Sequence, residues 1–230
     1  NGACNLKGGG ATLTFAGTQS LDSATVNFDA SVSGTKYITV PGGSLLTFGQ
    51  NLTVQGGRGQ INGAGTLVNQ GRISANASGQ TLDLRPTTLM NQGTLEALNG
   101  GTLKIGTTET SWTNEGMIEA TDATMTLGGN WSNAGTITAT NSNVTLGGAF
   151  TTAGLGSFSR TGGTVKLTGQ LDNTDDTLTL DETTGTWVMG GGTITGGTVQ
   201  VSAPDKLGFA SSSTNHLDGA TLNGDLAIAT

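Results

Sequence analysis

Apolar residues along this chain recur at every second position, in short runs separated by glycine-containing turns. The first runs carry the pairs Leu13/Phe15, Val26/Phe28, Ile38/Val40, Leu46/Phe48 and Leu52/Val54. Each pair brackets a small or polar residue, which puts both members on one side of a β-strand. Pro41-Gly42-Gly43 and Gln55-Gly56-Gly57 read as turns between them. From Gly65 onward the runs acquire a period. LVNQGRISA (67–75) is followed by LMNQGTLEA (89–97), WTNEGMIEA (112–120) and WSNAGTITA (131–139). Their turn glycines are Gly71, Gly93, Gly116 and Gly135, and a weaker copy, FTTAG, follows at 150–154 with its glycine at the same pace. A second strand keeps that pace too, closing at Leu84, Ile105, Leu127, Leu146, Leu167 and Met189.

The unit is clearest where two 19-residue copies adjoin, WTNEGMIEATDATMTLGGN and WSNAGTITATNSNVTLGGA. A period of this length marks a solenoid, whose units bury their apolar faces only against their neighbours. Twenty-odd residues holding two or three short strands are too few for a strand-plus-helix unit. Stacked coils set equivalent strands side by side in parallel sheets, and parallel crossovers are overwhelmingly right-handed. The expected fold is therefore all-β, a right-handed parallel β-helix of roughly 19–23 residues per coil. About ten or eleven such coils, at about 4.8 Å each, make a rod on the order of 50 Å long. One solenoid is expected over 1–230: irregular N-terminal coils in 1–60, regular repeats in 61–200, and looser coils in 201–230. The start at Asn1-Gly2 and the final LNGDLAIAT, which stops in mid-pattern, suit a segment of a longer chain.

Composition narrows the choices. Forty glycines against three prolines suit a turn-rich β protein, and the regular apolar positions argue against disorder. Nine Lys plus Arg against sixteen Asp plus Glu give a net charge of −7, which makes nucleic acid or an anionic membrane an unsuitable partner. The single cysteine, Cys4, forms no internal disulfide, and no Cys/His spacing supports zinc. No apolar run is long enough to span a membrane as a helix.

The repeat singles out columns of equivalent residues. Asn69, Asn91, Asn114 and Asn133 each precede a turn glycine by two positions, where stacked amides can hydrogen-bond from coil to coil. Leu67, Leu89, Trp112, Trp131 and Phe150 form a second column. Facing inward it is core; facing outward its tryptophans form an aromatic strip for sugar rings. Glu96 and Glu119 are equivalents in neighbouring coils and are expected to point to solvent, two carboxylates placed to share a cation or a proton. Asp83 lies over Lys104 as a cross-coil ion pair. Asp172, Asp175, Asp176, Asp181 and Glu182 make the one dense acidic cluster, readable as a polar loop, a calcium site or catalytic carboxylates. Catalysis is disfavoured because no long insertion walls a groove. Of cofactors, only calcium at Asp172, Asp175, Asp176 and Asp181 comes into question. His216 has no partner at a recognisable catalytic spacing and reads as a surface residue. Thr124/Thr126 and Thr177/Thr179 have the form of an ice-binding array, but Asp83, Lys104 and Lys166 interrupt it.

The two adjoining 19-residue copies, together with GGTITGGTVQV, resemble the β-helical repeats of filamentous-haemagglutinin-like adhesins and autotransporter passengers. The resemblance spans about residues 61–200. It implies secretion, display on a bacterial surface, and a part in adhesion, biofilm or filament formation, and it carries over no catalytic residues. The expectation is a non-enzymatic extracellular rod that binds copies of itself, other surface proteins or glycans. The alternative is a carbohydrate-binding or polysaccharide-cleaving β-helix.

Overall fold

The computed structural model describes residues 2–228, without the side chain of residue 228; residues 1, 229 and 230 of the expected solenoid lie outside it. The described chain is a parallel β-solenoid of about ten turns, and every strand pairing in it is parallel.

Each turn has three sides. In the coil that opens at Trp112, face one is Ser111–Asn114, face two Met117–Thr121 and face three Thr124–Leu127. The next coil repeats them as Asn130–Asn133, Thr136–Thr140 and Asn143–Leu146. Alternation puts every second side chain inside, so register alone stacks like on like. Ile73, Leu95, Ile118, Ile137 and Phe158 form one column of face two, and Ala75, Ala97, Ala120 and Ala139 form its neighbour. Face three stacks Leu82, Leu103, Met125, Val144, Val165, Trp187 and Leu207. These side chains are buried, and with those of face one they fill the hollow of the rod.

The irregular N-terminal coils join the same stack. Cys4, Val26, Val54 and Ile73 are register partners on face two, although the step along the chain from Val26 to Val54 is much longer than that from Val54 to Ile73. Corner loops of different length hide the period from the sequence without disturbing the strands. Inside this region Lys36 is buried, and its ammonium donates to the Val32 carbonyl at 2.5 Å.

Two places depart from the pattern. After Phe150 a helical turn, Thr152–Leu155, replaces the corner; Thr151 caps it by accepting from Gly154 N at 2.8 Å. Only Asn130 and Ala149 pair between the two face-one strands there. On face two, Arg160 occupies the position that alanine holds in the coils below. A guanidinium cannot fit an alanine slot, and the face-two sheet ends with Ser157–Thr161 before resuming as Thr177–Leu180. The Arg160 side chain lies over Gly185, where a β-carbon would collide with it, and 3.8 Å from the Asp205 carboxylate. Among the described residues no helix is long and apolar enough to cross a membrane.

Candidate functional site

The aromatic column of face one faces inward. Trp112 and Trp131 are stacked with ring centroids 5.2 Å apart and planes 8° from parallel, and Phe150 continues the stack 4.3 Å from Trp131. Leu67 and Leu89 lie beneath them in register. Each indole N–H needs a partner once buried. Trp112 Nε1 donates to the Gly128 carbonyl at 2.7 Å, and Trp131 Nε1 to the Gly147 carbonyl at 3.0 Å. With both rings at most 5% exposed, they present no platform for sugars.

Two residues along the same strand, the asparagines form a continuous buried ladder. Asn69 Nδ2 donates to Asn91 Oδ1 at 2.8 Å, Asn91 to Asn114 at 2.6 Å, and Asn114 to Asn133 at 2.6 Å. Asn133 Nδ2 ends the run on the carbonyls of Leu155 and Ser157, which the helical turn brings into reach. At the other end Asn69 stacks on Phe48, and its Oδ1 is buried without a partner. Asn173, which sequence spacing did not pick out, resumes the ladder above the helical turn. It accepts from Thr152 Oγ1 at 2.6 Å and donates to the carbonyls of Gly196 and Thr198. The signal for it was its place two residues after Leu171, the register partner of Phe150.

The glycines that follow the asparagines are needed for space rather than for a left-handed backbone, since none of the four has a positive φ. A β-carbon on Gly93 would strike the Gly71 carbonyl, one on Gly116 the Gly93 carbonyl, and one on Gly135 the Gly116 carbonyl. The corner backbones sit directly on one another, and a side chain would push the coils apart.

Glu96 and Glu119 are stacked in register on the outer side of face two, but Glu96 does not point freely to solvent. Its side chain is 3% exposed, pressed between neighbouring coils, with Arg72 Nη2 2.5 Å from Oε1. That contact is close without being a well-aligned hydrogen bond. Ser74 lies beside it, fully buried, its hydroxyl unpartnered. Glu119 therefore meets a carboxylate in a partly desolvated place. Its pKa is raised by burial, then by hydrogen bonding to Glu96 and by that group's charge, while Arg72 pulls it down. Glu119 therefore keeps its proton to a higher pH than an isolated carboxyl would.

The acidic cluster does not converge. Asp172 Oδ1 accepts from Thr174 N at 3.0 Å, and hydrogen bonds from Thr174 hold its carboxyl below the usual range. Asp176 accepts from Thr177 N, and Asp181 from the backbones of Thr183 and Thr184. Asp175 sits exposed at the left-handed turn itself, with φ 59°. Each of the three bonded carboxylates caps a local turn, and among the described residues no three His, Cys, Asp or Glu side chains group to hold a metal. Asp83 turns to Arg85 on its own strand, at 2.6 and 3.1 Å, rather than to Lys104 in the next coil. His216 is exposed on a strand of face one, and Cys4 is a free, half-buried thiol.

Part of the chain is similar to a known protein. Over 121 residues, 52% of this chain, it is 37% identical to the deoxyribonuclease CdiA of Dickeya dadantii (strain 3937). That stretch is only 3% of the relative's length. No family model matches the chain. No solved structure matches it either.

Proposed function

We propose that this chain is a non-enzymatic stalk segment of a large secreted protein displayed on a bacterial surface. The observation that supports this reading is the continuity of the stack. From Asn69 to Asn133 the ladder runs from coil to coil, and beside it the alanine column runs from Ala75 to Ala139, which suits repeats whose part is to add length. The similarity to a small fraction of a much longer relative agrees with such a part. The nuclease activity in that relative's name belongs to a protein of which the matching stretch is a small portion. A chain of net charge −7 is also poorly suited to holding a phosphate backbone. On this reading its partners are other surface proteins, glycans or further copies of the chain, at the cell surface.

Removing one whole coil from the full-length protein tests the proposal. Deletion of residues 112–130 brings Leu89 onto Trp131 and Asn91 onto Asn133, so the stack closes again in register. A stalk so treated shortens by about 4.8 Å and keeps surface display and whatever activity the full-length protein shows. Loss of that activity, with folding and display intact, would mean that the segment itself carries the functional site.

A further inference from the structure

The corner from face two to face three changes length from coil to coil near the N-terminal end. It takes residues 29–35 in one coil, 57–58 in the next and 76–80 in the one after. The two longer corners stand out on either side of the short one and leave a recess of about 370 Å³ between them. The loop 76–80 is packed tightly onto the short corner, since a β-carbon on Gly57 would meet the side chains of Gln80 and Ala77.

The residue that closes that short corner breaks a local rule. Arg58 has φ 53°, in the left-handed region. The other non-glycine residues found there are Ser23, Asn99, Asp122, Asn141 and Asp175, short polar side chains of the kind turns use. Arg58 is flanked by Gly57 and Gly59, and glycine in its own place would remove the strain. A strained conformation kept by a long, charged residue points to a use for that residue.

Arg58 is also the uncompensated charge of the recess. Arg85 and Asp83, which line it as well, neutralise each other through their two-pronged contact. Arg58 makes no ion pair among the described residues, and its Nε is buried without a hydrogen-bond partner. Around it stand groups that bind hydroxyls. Gln60 accepts from Asn62 through Oε1, which leaves its amide N–H groups free. Thr35, Gln80 and Thr81 complete a lining that contains no apolar side chain.

We propose that this recess binds an acidic sugar, with its carboxylate on Arg58 and its ring hydroxyls on the surrounding amides and hydroxyls. A guanidinium donates to a carboxylate in a matched, forked geometry. A single uncompensated charge on a chain of net charge −7 favours one carboxylate over a polyanion. A lining without apolar side chains favours a hydrated sugar ring over the apolar side chains of a peptide. This inference does not depend on the stalk reading.

Calorimetric titration of the intact chain with glucuronate, glucose and acetate tests it, alongside Arg58→Gly and Arg58→Gln. Glucuronate is expected to bind, with glucose and acetate each weaker by about tenfold or more. Both variants are expected to lose glucuronate binding, while Arg58→Gly melts at the same temperature as the parent or higher, because its backbone is relaxed. The proposal is overturned if glucuronate does not bind, if acetate or glucose matches it, or if Arg58→Gly or Arg58→Gln binds as well as the parent. A lower melting temperature for Arg58→Gly would show that the arginine holds the corner together and would overturn it too.

Discussion

The coils between Trp112 and Ala149 and the irregular N-terminal coils obey the same register but advertise it differently. In the first region all three corners are short and the repeat is plain to the eye. In the second, the corners stretch and shrink while Cys4, Val26 and Val54 still stack. The two regions also use amides on opposite sides of the wall. Asn114 and Asn133 are linked inside the rod, whereas Asn5, Asn27 and Gln55 form a chain of side-chain bonds on the outside, each of 2.8 Å. What is constrained is the interior and the stacked backbone; corner length and outer decoration are free to vary.

The hardest test of that contrast is a one-residue insertion. Placed between Ile118 and Glu119, it turns the remainder of a face-two strand inside out, and circular dichroism is expected to show loss of cooperative folding. Placed after Ser31, in a corner loop, it is expected to cost no more than about 0.5 kcal/mol in chemical denaturation.

Two glycine substitutions come next. Gly116→Ala drives a methyl into the Gly93 carbonyl and is expected to cost about 2–3 kcal/mol, because the stacked backbones cannot part locally. Gly43→Ala meets open space and pays only for its left-handed backbone, about 1 kcal/mol. Equal losses in urea titrations would remove the distinction between close approach and conformation.

The inner and outer amide chains should separate in the same way. Asn114→Ala leaves the Asn133 acceptor without its donor in the interior, while Asn91 Nδ2 keeps the Gly93 and Met117 carbonyls, and is expected to cost about 1–3 kcal/mol. Asn27→Ala leaves its partners in water, with an expected cost below about 0.5 kcal/mol.

The smallest effect depends on pH. Glu119 has a raised pKa in the fold, so the folded state holds a proton there more tightly than the unfolded chain does. Its favourable contribution is complete below the ordinary carboxylate range and is lost as pH rises through the raised value. Melting curves of Glu119→Gln and the parent should therefore agree best in acid. The variant should gain as pH rises and level off once Glu119 has ionised. A gap that shrinks with rising pH would contradict the raised pKa of Glu119. Asp172 acts in the opposite sense: its lowered pKa favours the fold above the ordinary carboxylate range, and that contribution is lost as acid protonates it.

Much of this was legible from residue spacing alone. The Asn69–Asn133 column, the face-one apolar column and the pace of the coils follow from alternation and period, because neighbouring coils must repeat whatever sits in register. Asn173 was missed because the helical turn at Thr152–Leu155 interrupts the count. The burial of Glu96 was missed because an outward position on a strand is ordinarily wet; here Arg72 and the adjoining coils close over it. Asp83 was matched to Lys104 by register, but Arg85 lies nearer along its own strand. The acidic cluster is dense in sequence yet dispersed in space, since each bonded carboxylate serves the turn beside it.

The order of residues by itself determined the fold class, which residues of each strand share a side, and the vertical neighbours in the regular coils, since all three depend on periods of two and of about twenty. Only the folded chain decided which corners wall a recess, that Arg58 is held strained beside it, and which outward charge is buried. Those outcomes turn on loop lengths and on contacts between coils far apart in sequence, and a local pattern carries neither.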